Sequence, residues 1–190
     1  IEGEDKEIAQ ILLDHIANVN LEDECFETPL SYAILMSRIG MIQLLLRNGA
    51  DVNYVSSSGW TPLTYAIDKE SSIDMIQILL KHELNVNLEG KLGKTPLYTA
   101  IERKDFEVIE LPLQKQADIN YLNPSGSTPL IDAIKMRKKD IVQILLEKRA
   151  DVNCFDECGI STLMAAVETG STQLTGILLE NKANVNLISE

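Results

Sequence analysis

A motif that returns every 33 or 34 residues constrains this chain more than any other feature. Thr28-Pro29-Leu30, Thr61-Pro62-Leu63, Thr95-Pro96-Leu97 and Thr128-Pro129-Leu130 open successive copies, and Ser161-Thr162-Leu163 opens a worn one. A second motif keeps step with it: Ala17-Asn18-Val19-Asn20, Ala50-Asp51-Val52-Asn53, Leu84-Asn85-Val86-Asn87, Ala117-Asp118-Ile119-Asn120, Ala150-Asp151-Val152-Asn153 and Ala183-Asn184-Val185-Asn186. Two motifs held in register along the chain mean a fold of repeated units, each too small to bury a core alone and stabilised by stacking on its neighbours.

Each unit reads as two short helices and a turn. The Thr caps a helix whose first residue is the Pro, because Pro has its φ preset for a helix and its absent N–H has no intrahelical partner there. Leu30, Ala33 and Ile34 then fall at i, i+3 and i+4, as do Leu63, Ala66, Ile67; Leu97, Ala100, Ile101; Leu130, Ala133, Ile134; and Leu163, Ala166, Val167. That stripe is the expected core face, with Ala permitting close approach. A second helix follows, in runs such as Met41-Ile42-Gln43-Leu44-Leu45-Leu46 and Ile141-Val142-Gln143-Ile144-Leu145-Leu146, where the Gln marks the side toward water. Gly59, Gly93, Gly126 and Gly159 recur in the connecting segments, as turns with positive φ require.

The period, the Thr-Pro-Leu opening and the Asp-Val-Asn ending closely resemble the ankyrin repeat. The resemblance implies an all-α repeat solenoid, an elongated array of helix-turn-helix units joined by β-hairpin loops. The frame predicts a partial repeat over 1–20, containing only a second helix, then repeats over 21–53, 54–87, 88–120, 121–153 and 154–186, with 187–190 opening another or forming a tail. An array cut from something longer, or one with diverged ends, is expected from this frame.

Departures from the family pattern carry expectations of their own. The family's His after Thr-Pro-Leu, which links successive repeats, is replaced by Ser31, Thr64, Tyr98, Ile131 and Met164, so that link is expected to be absent. The family's Gly before the Ala-Asp-Val-Asn segment survives only as Gly49. Ile16, Glu83, Gln116, Arg149 and Lys182 replace it, each at a cost of up to about 1 kcal/mol if the left-handed geometry is kept. Pro112 stands where the other second helices have Leu12, Leu45, Leu79, Leu145 and Leu178, and predicts a kinked or interrupted helix over 108–113.

Charge and chemistry narrow the function. The chain carries a formal net charge of -12, and within residues 1–30 nine acids face only Lys6. Such a chain repels phosphate backbones and anionic membranes, so nucleic acid is not an expected partner. Lys135, Arg137, Lys138 and Lys139 form a local reversal, read as a solvated turn or as a landing patch for an acidic partner. Three cysteines, Cys25, Cys154 and Cys158, suit a reducing compartment, and no apolar run is long enough for membrane insertion. A cytoplasmic location is expected, or a host cytosol for a secreted effector. His15 and His82 lie two repeats apart, Cys154 and Cys158 lack further ligands for zinc, and no phosphate loop or nucleophile elbow occurs. No catalytic residue, metal, cofactor or small-molecule substrate is therefore expected, and the chain is not expected to be an enzyme.

The resemblance implies protein binding along the concave side, through loop tips and the exposed face of each first helix. Matched onto this sequence, the candidate partner-binding residues are Val55, Trp60, Leu92, Lys94, Arg103, Leu122, Met136, Phe155 and Ile160. Trp60 is the sole tryptophan, and its place is filled in the other repeats by Glu27, Lys94, Ser127 and Ile160, so the fold does not demand an aromatic there. It is the expected anchor for a protein ligand. The resemblance also implies asparaginyl hydroxylation at Asn53, Asn120 or Asn153, against a purely structural role for these residues. Two functions follow: a non-catalytic interaction module serving as adaptor, scaffold or effector, or the targeting portion of a larger enzyme, toxin or channel.

Overall fold

A computed structural model describes residues 2–90 and 93–188, with side chains from residue 5 onward. Eleven α-helices and no strand occur among the described residues: α1 Glu2–Asp14, α2 Pro29–Leu35, α3 Ile39–Arg47, α4 Pro62–Asp68, α5 Ile73–Leu80, α6 Pro96–Arg103, α7 Phe106–Gln114, α8 Pro129–Lys135, α9 Lys139–Glu147, α10 Thr162–Glu168 and α11 Thr172–Glu180. None is long and apolar enough to cross a membrane. The chain forms two compact units, residues 1–99 and 100–190.

The helices start where the motif predicts. Thr28, Thr61, Thr95, Thr128 and Ser161 each accept a hydrogen bond from the backbone N–H three residues on, which satisfies one of the donors left free at a helix start. Ser31 and Thr64, at the positions of the missing His, close capping boxes with Thr28 and Thr61.

In the first unit α2 packs on α3 and α4, α4 on α5, and α1 on α3. In the second, α8 packs on α9 and α10, and α11 on α9 and α10. The Ala stripe is buried throughout, at Ala33, Ala66, Ala100, Ala133 and Ala166. Its small side chains let first helices approach while Leu and Ile on either side fill the core, except in the last stripe, where Leu163 is half-buried and Val167, expected on the core face, is 64% exposed. Only α1 lacks a companion first helix among the described residues. Leu12 is 57% exposed, whereas its counterparts Leu45, Leu79, Leu145 and Leu178 are at most 5% exposed. A cleft of about 440 Å³ opens beside α1, lined by Lys6, Ala9, Tyr32, Ala33, Met41 and Leu45 among others.

Left-handed backbone recurs at three positions per unit. Phe26, Gly59, Gly93, Gly126 and Gly159 turn the connecting loops; Ser37, Glu70, Lys104, Arg137 and Gly170 turn between paired helices; Ile16, Gly49, Gln116, Arg149 and Lys182 end the second helices. The family's Gly geometry is thus kept at four of its five replaced positions. Glu83 is the exception: Leu84 N–H turns back to the His82 carbonyl at 2.7 Å instead of closing the usual helix end. Each loop is shut by two backbone bonds, such as Ser56 N–H to Trp60 O at 2.9 Å with Gly59 N–H to Ser56 O at 2.7 Å, or Asn123 N–H to Ser127 O at 2.9 Å with Gly126 N–H to Asn123 O at 2.7 Å. The loops are therefore tight turns, and Phe155–Ser161 forms an isolated antiparallel bridge.

The expected interruption at Pro112 is not found, because α7 runs unbroken from Phe106 to Gln114. The position requires a buried side chain and a carbonyl that accepts the closing bond of the helix, and Pro supplies both. Ala117 N–H donates to Pro112 O at 3.0 Å, as Ala50, Ala150 and Ala183 N–H donate to Leu45, Leu145 and Leu178. What Pro112 forfeits is the bond its missing N–H would give one turn back.

Candidate functional site

Polar links between neighbouring repeats come from the Asn motif. Asn20 Oδ1 accepts Asp51 N–H at 2.9 Å, Asn53 Oδ1 accepts Asn85 N–H at 2.7 Å, Asn120 Oδ1 accepts Asp151 N–H at 2.9 Å and Asn153 Oδ1 accepts Asn184 N–H at 2.8 Å. Asn53 also donates from Nδ2 to Glu83 O at 2.9 Å. The carboxamides of Asn53, Asn120 and Asn153, the candidate hydroxylation positions, thus hold backbone together.

Candidate binding residues in the first unit centre on Trp60. The indole is half-buried rather than fully exposed, and it meets Tyr65 edge-on, with centroids 6.0 Å apart and planes at 66°. Tyr65 is buried, and its hydroxyl donates to Glu27 Oε1 at 2.9 Å. Burial and the carboxylate of Glu27 push its phenol well above the usual range, so it stays neutral and remains a donor. Lys69 Nζ sits 5.3 Å from the Tyr65 ring centroid and 3.4 Å from Asp68. Val55, in the same loop as Trp60, is 47% exposed. Lys94 is half-buried and lies 5.7 Å from the ring centroid of Tyr98. Leu92 lies outside the described residues.

In the second unit Leu122 is 55% exposed and Arg103 is exposed, whereas Met136, Phe155 and Ile160 are half-buried. The loops carrying Leu122 and Phe155 touch through Glu157 N–H and Gly126 O at 2.7 Å. Beneath them Lys135 donates to Asp156 Oδ2 at 2.9 Å, and the other Asp156 oxygen accepts Cys158 and Ile160 N–H. Burial works against ionisation of Asp156, but Lys135 and the two N–H groups outweigh it and hold the carboxyl below its usual range. Burial raises Asp132, which takes a bond from Asn123 Nδ2 at 2.8 Å.

Sequence reasoning missed Tyr65, Glu27, Lys69 and Asp156 as a set of contacts. The Tyr65–Lys69 pair was readable as an i, i+4 spacing on one helix, whereas Tyr65 with Glu27 and Lys135 with Asp156 each join a helix to the loop of a neighbouring repeat, which the period alone does not pair. Among the described residues no three His, Cys, Asp or Glu side chains gather as a metal site. Cys25 and Cys158 are exposed thiols, and burial pushes the Cys154 thiol up.

Comparison with known proteins agrees with this geometry. A family model described as "Ankyrin repeats (3 copies)" matches residues 1–90, 42–123 and 72–156. The 2-5A-dependent ribonuclease of Homo sapiens is 43% identical over 67 residues, which are 35% of this chain and 9% of that protein. A putative ankyrin repeat protein of fowlpox virus (strain NVSL) is 38% identical over 61 residues, 32% of each chain. The crystal structure of the ankyrin repeat domain of Bcl-3, a member of the IkappaB protein family, superposes with a TM-score of 0.90 at 25% identity, covering 96% of this chain and 82% of that one. The chain thus spans a third or less of the length of each of these two curated relatives.

Proposed function

Since this chain belongs to the ankyrin repeat family, we propose that it is a non-catalytic module binding a protein partner through its loop tips and the exposed ends of its first helices. The observation that carries this is the split between covered and uncovered apolar residues. Leu30, Leu63, Leu97 and Leu130 and the Ala of every stripe are buried, while Leu35, Met36, Val55 and Leu122 stand 44% to 55% exposed where the stacking of helices makes no use of them. Apolar groups left among mixed charges at such positions are what binding surfaces are made of. Three thiols suit a reducing compartment such as the cytoplasm.

Capture from a cell lysate tests the reading. The wild-type chain is expected to retain a protein that Val55→Asp, Leu122→Asp and Trp60→Ala lose, with helix content unchanged. Retention by all three variants overturns it. A second reading, the targeting portion of a larger protein, is favoured by the human ribonuclease, where the matched segment is 9% of the whole. The full reading frame separates the two.

A further inference from the structure

We infer that the corner formed by Trp60, Tyr65, Glu27 and Asp68 receives a positively charged side chain from a basic peptide segment of the partner. This rests on the interaction-module reading and adds the partner's chemistry to it.

A cation already occupies the corner. Lys69 places its ammonium 5.3 Å from the centre of the Tyr65 ring and 3.4 Å from Asp68. Aromatic faces attract cations, and a nearby carboxylate adds to the attraction. Lys69 is a weak occupant, because it is the last capping residue of the short helix α4 and its side chain is 41% exposed. An incoming guanidinium, which is planar and less strongly hydrated than ammonium, makes the same contacts better and can also lie against the half-buried Trp60 indole. The arrangement recurs within the unit, where Lys94 lies 5.7 Å from the Tyr98 ring centre.

Charge around the corner selects the same class of ligand. Residues 1–99 hold fifteen Asp and Glu against seven Lys and Arg, a net of -8 out of the -12 of the whole chain. Such a field draws basic segments toward the site and repels acidic peptides and nucleic acid. Glu22 and Glu27 anchor the field structurally, since Glu22 accepts Ser57 N–H and Glu27 accepts the Tyr65 hydroxyl.

The single tryptophan makes the corner its own reporter. The full chain is titrated at physiological salt with a capped octapeptide alternating Arg and Ala, and with its Glu counterpart, while Trp60 emission is followed. A saturable change with the Arg peptide alone is expected. Lys69→Ala, which removes the resident cation, should tighten binding about threefold or more, whereas Lys81→Ala, the same charge change at the end of α5, should leave it within about twofold. Asp68→Asn should weaken it by about threefold or more. A flat titration, an equal response to the Glu peptide, or equal effects of Lys69→Ala and Lys81→Ala overturns the inference. If the titration is flat while Trp60→Ala still abolishes capture of the cellular protein, the basic chemistry falls and the module reading stands. If neither is seen, both fall.

Discussion

Lys135 on helix α8 lies 2.9 Å from Asp156 in the loop of the following repeat, and the two residues are unequal partners: the Asp156 side chain is 5% exposed and the Lys135 side chain 42%. Asp156 also accepts two backbone N–H groups that its loop cannot satisfy otherwise. Removing it strands two part-buried donors, whereas removing Lys135 frees a carboxylate that keeps those bonds. Asp156→Ala should therefore cost about 2 kcal/mol and Lys135→Met about 1 kcal/mol or less, measured by urea unfolding. Equal losses would contradict this.

The same pair sets a pH dependence. The Asp156 carboxyl is held below its usual value, so its contribution is present above the unfolded carboxylate pKa and fades as pH falls through the lower folded one. The Lys135 ammonium is held above its usual value, led by its bond to Asp156, so its contribution persists to the unfolded lysine pKa and fades at higher pH. Wild type should lose more stability than Asp156→Asn between about pH 4 and pH 2. Parallel acid unfolding curves would remove Asp156 as a cause.

Pro112 completes an unbroken helix while giving up one backbone bond in it. Pro112→Leu restores the residue type found at the five equivalent positions and should stabilise the chain by about 1 to 3 kcal/mol. A melting temperature that stays the same or falls would show that the surrounding core has adapted to the ring.

Phe26 occupies the left-handed turn position that glycine fills in every later loop, at a φ of 62°, and its side chain wins little in return, being 52% exposed. Phe26→Gly should be neutral or stabilising by up to about 1 kcal/mol. A clear loss of stability would mean that the ring makes contacts worth more than the strain.

Hydrogen exchange should be fastest in α1 within the first unit, where Leu12, Ile8 and Ile11 are all more than half exposed beside an open cleft. Protection should rise through α3 and peak in α5, whose Ile76 and Leu79 are fully covered. Protection in α1 equal to that in α5 would count against this.

The helix starts, the Ala stripe and the glycine turns were legible because each is a local rule repeated four or five times. Thr61, Pro62 and Ala66 declare their roles by chemistry alone. Ser37, Glu70, Lys104 and Arg137 do not, although they share one left-handed turn, because the stack enforces that geometry on residues with no preference for it. Trp60 was legible as an unusual residue, but its contact with Tyr65 was not. Tyr65 stands where other repeats have Tyr32, Thr99, Asp132 and Ala165, so neither position announces an aromatic pair. Pro112 misled for a related reason, since a rule for isolated helices was outweighed by a buried site that the ring fills.

The Asn bridges reach one repeat onward and no further. Asn20 meets Asp51, Asn120 meets Asp151 and Asn153 meets Asn184, each 31 residues ahead, while Asn53 meets Asn85 across 32 because the intervening unit carries one extra residue. An insertion inside a unit is thus absorbed before the next bridge is reached. Evolution can accordingly splice such a chain at any bridge, duplicating or deleting whole units, and every new junction arrives with its donor and acceptor already matched.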